Sequence, residues 1–185
     1  MYKSMKNFQV EDKDTGKKYW ISRAMAVCGI VVVEDEKEGE YYVLANKRGQ
    51  GVPNYKGCWN LICGYLDWDE TLVDAVTREV LEETKVAIPK HLWIQVAIAD
   101  DPNKDELQNV TVRFKAYITK DEYEEYRLLG KNAMGVDGGE EDEVECVKLI
   151  KLDTETINSL EWAFNHKSLV ENEIAFTNLL KPFRK

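Results

Sequence analysis

The chain has 185 residues, 44% of them hydrophobic, which suits one globular domain with a sizeable core, since domains run about 100 to 200 residues. Its formal charge is -9 and its pI about 4.9, so diffuse attraction to nucleic acid or to an anionic membrane is not supported. A polyanionic substrate would need local help from a bound divalent metal or from a few placed arginines and lysines.

In chain order, residues 1–19 read as a polar arm. It mixes charges of both signs and lacks the apolar stretch of a secretory signal, which predicts a cytoplasmic protein. "AMAVCGIVVV" is rich in β-branched residues and reads as a buried strand, joined by the turn "EDEKEGE" to a second strand, "YYVLANK", in a hairpin. The longest apolar run, from Met25 to Val33, is far shorter than the ~20 residues of a membrane-spanning helix. "RGQGVPNYKG" carries three glycines and a proline and is a loop, after which "CWNLICG" predicts another short strand.

From Glu70 to Thr84 there is no Gly or Pro, and Leu72, Val73, Val76 and Val80 recur at helical spacing. Asp67 and Asp69 precede the first turn, where carboxylates favour the positive end of the helix dipole. "HLWIQVAIA" and "VTVRFKAYI" predict strands and "KDEYEEYRLLG" a short helix. The glycine-punctuated loop "GKNAMGVDGGEED" leads into a last strand, "EVECVKLIKL". "DTETINSLEWAFNH" opens on capping residues, and "SLVENEIAFTNLL" predicts a closing amphipathic helix. The four cysteines, Cys28, Cys58, Cys63 and Cys146, form no C-x-x-C pair. Three of them sit in apolar strand contexts, where a thiol behaves as a small hydrophobe, which argues against structural zinc and disulfides.

The central helix carries an unusual load of acid. At roughly 100° per residue, its apolar residues form a stripe that includes Glu83, leaves Glu79 about 20° outside the edge and puts Glu82 some 60° further round. Ionised carboxylates at this spacing repel one another, and partial burial adds a desolvation cost. A hard divalent cation relieves both, since Mg²⁺ and Mn²⁺ prefer oxygen ligands and Mg²⁺ completes its shell with water and substrate phosphates. The competing reading is a solvated acidic face paired with lysines.

This stretch resembles the Nudix box, G-x5-E-x7-R-E-U-x-E-E-x-G-U with U aliphatic. The chain supplies Gly64, Glu70, Arg78-Glu79-Val80, Glu82-Glu83 and Val86, so eight of the nine specified positions match. Lys85 stands where the family has glycine. A lysine held at positive φ would cost about 1 kcal/mol, so a shifted turn is expected there. The resemblance implies a single Nudix hydrolase domain over residues 1–185, an α/β fold of the α/β/α sandwich type with a mixed central sheet, and Mg²⁺ or Mn²⁺ as cofactor. By the same resemblance Glu79, Glu82 and Glu83 would bind the metal with the backbone carbonyl of Gly64, and Glu70 would pair with Arg78. On the wheel those two lie about 80° apart, which leaves independent surface charges as the alternative.

Catalysis would fall to the three glutamates and to a general base, for which the acidic loop residue Glu141 is favoured. Arg23, Arg48, Trp59 and Tyr65 are candidate substrate contacts, with Lys47, Arg113, Tyr55 and Trp68 nearby. The implied partner is a small-molecule nucleoside diphosphate derivative, with no membrane, no DNA-binding module and a possible homodimer. The implied reaction is hydrolysis of a P-O-P bond in a nucleoside triphosphate, ADP-ribose or nucleotide sugar, a dinucleotide or an RNA 5′ end. NADH is disfavoured because the zinc cysteines and the downstream S-Q-P-W-P-F-P-x-S motif of that subgroup are missing. The alternatives are a nucleotide-binding sensor or regulator without turnover, or a diphosphate isomerase using Cys58 or Cys63. His166, in "WAFNH", is expected to be a hydrogen-bonded structural histidine.

Overall fold

The computed structural model describes residues 6–104, 109–133 and 142–180. The polar arm carries regular structure that its mixed charges conceal: β1 (Phe8–Glu11) and β2 (Lys18–Ile21) pair antiparallel as a separate hairpin. Asp12 helps to set its turn by accepting the N–H groups of Asp14 and Thr15 at 2.9 Å each, an Asx-type arrangement.

The main sheet consists of β3 (Met25–Asp35), β4 (Glu40–Arg48), β5 (Trp59–Asn60), β6 (Ile62–Tyr65), β7 (Ile94–Ala99), β8 (Val110–Thr119) and β9 (Val144–Lys151). Its order is β5-β4-β3-β8-β7, with β6 also on β3 and β9 on β4. β3 runs parallel to β8 and antiparallel to β4 and β6, so the sheet is mixed. β3 and β4 pair only at the hairpin end, Val32–Asp35 against Glu40–Val43, and then diverge. The expected single strand "CWNLICG" is two short strands that fill this split, β5 on β4 and β6 on β3. Likewise "HLWIQVAIA" divides into a 3-10 turn, Lys90–Leu92, and β7.

Alternation along β3 serves two cores, as period-2 geometry requires of a strand buried on both faces. Val27, Val31 and Val33 pack with α1 (Leu72–Thr84) and α2 (Lys120–Ala133). Cys28, Ile30 and Val32 face the layer that holds Ile157 of α3 (Thr154–Asn158) and Leu169, Val170 and Ile174 of α4 (His166–Leu180). The result is an α/β/α sandwich. At Gly29 an added Cβ would lie 3.0 Å from Val80 Cγ2 and 3.1 Å from Val76 Cγ2, so a side chain there would lift α1 off the sheet. No helix among the described residues is long and apolar enough to cross a membrane.

α1 begins two residues later than its sequence pattern predicts, because Thr71 is the N-cap: its side chain accepts from Asp74 N–H, and the Asp74 side chain answers the Thr71 N–H. The exit corrects the expectation for Lys85. The turn is not shifted; Lys85 itself takes the left-handed conformation, φ 58, and its N–H bonds to Leu81 O at 2.9 Å. Packing against α2 holds this geometry, since Ala87 N–H bonds to Tyr126 O at 3.0 Å and the backbone of Gly130 lies so close to the Lys85 carbonyl that no Cβ fits between them. The Lys85 ammonium donates to Glu82 O at 2.9 Å, a favourable place for a cation at a helix C-terminus.

Two outcomes follow for α1. Urea unfolding should find Lys85→Gly more stable than Lys85→Ala by about 1 kcal/mol, the cost of a Cβ at positive φ; equal stabilities would show that the backbone relaxes. The Lys90 ammonium, with the Thr71 hydroxyl and N–H, holds the Asp74 carboxyl below its usual range. A depressed carboxyl stabilises the fold above its unfolded value, near pH 4, and that contribution fades as pH falls toward the folded value. Asp74→Asn should therefore lower Tm at neutral pH, with the gap to the native chain closing only in strong acid. A gap independent of pH would assign the effect to packing.

Candidate active site

The wheel placement of the acids holds in three dimensions. Glu79 and Glu83 are half-buried and Glu82 is exposed. Between them stands Arg78, whose guanidinium makes two bonds to Glu70 (Nε to Oε2, 3.1 Å; Nη2 to Oε1, 2.8 Å) and one each to Glu79 (2.7 Å), Glu82 (3.0 Å) and the Tyr65 carbonyl (3.0 Å). The Glu70–Arg78 pair is thus made. Glu70 precedes the helix, so the 80° separation on the wheel does not apply to it. Its other role is local: one oxygen also accepts the Asp67 N–H at 2.8 Å.

Gly64, on β6, packs its backbone directly against the Glu79 carboxylate, and a Cβ there would overlap it. Burial pushes the Glu79 carboxyl up against the opposing pull of Arg78. Burial pushes Glu83 well above its ordinary range, and the charge of Glu79 adds to this, while Arg48 and a hydrogen bond from Asn46 Nδ2 pull the other way. Asn46, on β4, was not singled out in the sequence because its role depends on a contact with a residue 37 positions away.

These acids line an open cleft of about 2170 Å³ together with Arg48, Tyr55, Gly64, Tyr65, Arg113, Glu143 and Phe164. The Arg48 guanidinium donates to Asn54 O at 3.0 Å and lies 5.2 Å from the Phe164 ring centroid. Tyr55 and Phe164 pack at a tilt of 58° with ring centroids 4.7 Å apart. Tyr65 is 51% exposed at the cleft edge. Two expected contacts are placed elsewhere. Arg23 donates to the carbonyls of Asp100 (2.8 Å) and Asn109 (2.7 Å), and Trp59 is buried in the core facing α4, with the Lys148 ammonium 5.7 Å from its ring. Nor do the other neighbours act together: Lys47 pairs with Glu145 at 2.8 Å, and Trp68 is 86% exposed, edge-on to Tyr19. Glu141 lies outside the described residues. Its near neighbour Glu143 lines the cleft and anchors its segment by accepting the Gly49 N–H at 2.6 Å.

His166 is buried at the start of α4. Its Nδ1 accepts the Leu61 N–H at 3.1 Å and its Nε2 lies 3.7 Å from Cys63 Sγ. The segment before it docks on the sheet through Trp59 N–H to Glu161 O and Ala163 N–H to Trp59 O, 2.8 Å each.

The donor set around Gly64 is all oxygen, which suits a hard divalent cation, and the carboxyls of Glu79 and Glu83 carry a desolvation cost that such a cation offsets. The residues therefore fit Mg²⁺ or Mn²⁺. Their oxygens do not converge on one point; Arg78 gathers those of Glu79 and Glu82. Among the described residues, the group of potential ligand side chains whose donor atoms lie within 4.8 Å of one another is instead Cys28, Cys63 and His166.

The chain matches the NUDIX domain over residues 23–172. None of the curated proteins matches it. Among solved structures it is similar to a MutT/nudix family protein from Enterococcus faecalis, at 20% identity over 88% of this chain and 64% of that one, TM-score 0.63. It is also similar to the NUDIX domain of Shewanella oneidensis NrtR complexed with ADP ribose, at 22% identity over 86% and 90%, TM-score 0.61. A bifunctional NMN adenylyltransferase/ADP ribose pyrophosphatase from Francisella tularensis, complexed with AMP and Mn ion, aligns at 18% identity over 84% and 42%, TM-score 0.57. The chain spans less than two thirds of the Enterococcus and Francisella proteins. These likenesses speak to the fold, and the domain match covers most of the sequence: the chain belongs to the Nudix family.

Proposed function

We propose that the protein is a divalent-metal-dependent pyrophosphohydrolase that cleaves the P-O-P bond of a nucleoside diphosphate linked to another moiety. The candidate classes are nucleoside triphosphates, ADP-ribose or nucleotide sugars, dinucleotides and RNA 5′ ends. The observation that carries this reading is the pair of half-buried carboxyls, Glu79 packed against the Gly64 backbone and Glu83 beside it on the helix, in a cleft that Arg48 and Arg113 also line. The complex of the Shewanella NUDIX domain with ADP ribose and the Francisella ADP ribose pyrophosphatase make ADP-ribose the first substrate to try.

Glu79, Glu82 and Glu83 with the Gly64 carbonyl would hold Mg²⁺ or Mn²⁺. Such an ion, when bound, neutralises the charge that builds on the phosphate oxygens and acidifies water. Arg78 keeps Glu79 and Glu82 in place from the far side, and its bond to Tyr65 O ties the helix to the end of β6. Arg48 and Arg113 supply fixed positive charge for the phosphates. Tyr55 and Phe164 offer ring faces on which a flat base can stack. The proton of the attacking water falls to the acidic segment before β9, either to Glu143, which lines the cleft, or to Glu141.

The test is product analysis by mass spectrometry over that substrate panel, with Mg²⁺, with Mn²⁺ and with chelator. Metal-dependent cleavage of one class is expected. Glu82→Gln and Glu83→Gln should each lower kcat by about 10² to 10⁴-fold, the usual range for lost acid-base or electrostatic catalysis, with an unchanged fold by circular dichroism. Unaltered rates in both variants would remove the site assignment. Binding without turnover across the whole panel would make the protein a nucleotide sensor.

A further inference from the structure

Cys28 and Cys63 are the chemistry-bearing side chains that the hydrolytic reading does not use. They are direct cross-strand partners in the antiparallel pairing of β3 with β6. The Leu66 N–H bonds to Met25 O at 3.0 Å, which makes Met25 and Leu66 a hydrogen-bonded pair. Counting inward with alternation, Cys28 and Cys63 fall on a non-hydrogen-bonded pair, the kind whose Cα atoms approach to about 4.5 Å with side chains close on one face. A disulfide spans Cα separations of about 4.4 to 6.8 Å. Both sulfurs and a ring nitrogen of His166 lie within 4.8 Å of one another.

The histidine decides what kind of site this is. Because Nδ1 accepts the Leu61 N–H, the neutral ring carries its proton on Nε2, the nitrogen that faces Cys63 Sγ at 3.7 Å. A metal ligand would need that nitrogen bare, with the proton on Nδ1. The ring is therefore set as a donor to sulfur, which opposes a Cys-Cys-His metal centre. Access is unequal: both cysteines line the cleft, but Cys28 is 1% exposed whereas Cys63 is half-buried.

We propose that Cys28 and Cys63 form a peroxide-oxidisable dithiol, with Cys63 the sulfur that meets the oxidant and Cys28 the one that resolves it. In the first step the Cys63 sulfur attacks one peroxide oxygen. The O–O bond breaks, a sulfenic acid forms and the other oxygen leaves as hydroxide, which takes up the thiol proton to give water. In the second step Cys28 sulfur attacks Cys63 sulfur, the S–S bond forms, the S–O bond breaks and the oxygen leaves as a second water. Two thiols are oxidised and one hydrogen peroxide is reduced. The new bond would tie β6 to β3 one residue before Gly64, whose backbone packs against Glu79, so oxidation acts on the position of the acids without touching them.

The test uses the intact protein treated with hydrogen peroxide, then alkylated and digested without reductant for mass mapping. The expected result is a fall from four free thiols to two, an intramolecular Cys28–Cys63 link, and full recovery with dithiothreitol. Cys28→Ser should stop at a Cys63 sulfenic acid that dimedone traps, and Cys63→Ser should leave Cys28 unmodified. Four thiols surviving a dose that oxidises the urea-unfolded chain would overturn the proposal, as would a link through Cys58 or Cys146. One equivalent of Zn²⁺ bound by the reduced chain and lost in Cys63→Ser would replace it with a metal centre.

Discussion

One guanidinium has to neutralise a crowd of carboxylates, and the arrangement of the site follows from how it does so. Arg78 is 28% exposed at its side chain, and it spends its planar fork of donors on Glu70, Glu79, Glu82 and a strand carbonyl. Glu70 and Tyr65 lie outside the helix, so these bonds fix how α1 meets the end of β6 as well as where its acids point. Glu79 is then caught between Arg78 and the Gly64 backbone. Glu83 lies beyond direct reach of that arginine and is left with burial as its dominant influence, which is the electrostatic condition that makes a cation welcome.

That geometry depends on two features of the sheet. Gly29 lets α1 settle on β3, because Val76 and Val80 occupy the space a side chain would need. The divergence of β3 from β4 opens the gap that β5 and β6 fill, and the insertion carries Gly64 to the helix on one face and Cys63 to His166 on the other. The same short strand thus serves the acids and the thiol pair.

Much of this was legible in the sequence where the signal is local. The glutamate spacing alone predicted that Glu83 turns inward and Glu82 outward, since a helix of 13 residues obeys its own periodicity. The strands β3, β4, β8 and β9 announced themselves through runs of apolar, β-branched and aromatic residues. The hairpin β1–β2 did not, because its strands are four residues each and almost all of their residues are exposed. Trp59 and Arg23 read as substrate contacts for want of knowing their neighbours: one is enclosed by α4 and its core, and the other finds two backbone carbonyls contributed by residues 77 and 86 positions away. The wheel misjudged Glu70 by extending the helix over it, when Thr71 already caps the end.

The sequence by itself determined the family, the α/β/α class and the identity of the acidic helix, because spacing within one helix and runs within one strand are properties of neighbouring residues. Only the tertiary structure decided that Asn46 supports Glu83, that Lys85 keeps a left-handed exit under α2, and that Cys28, Cys63 and His166 meet. These contacts join residues tens of positions apart through strand pairing and helix packing, and no local pattern in the chain encodes which distant partner closes each of them.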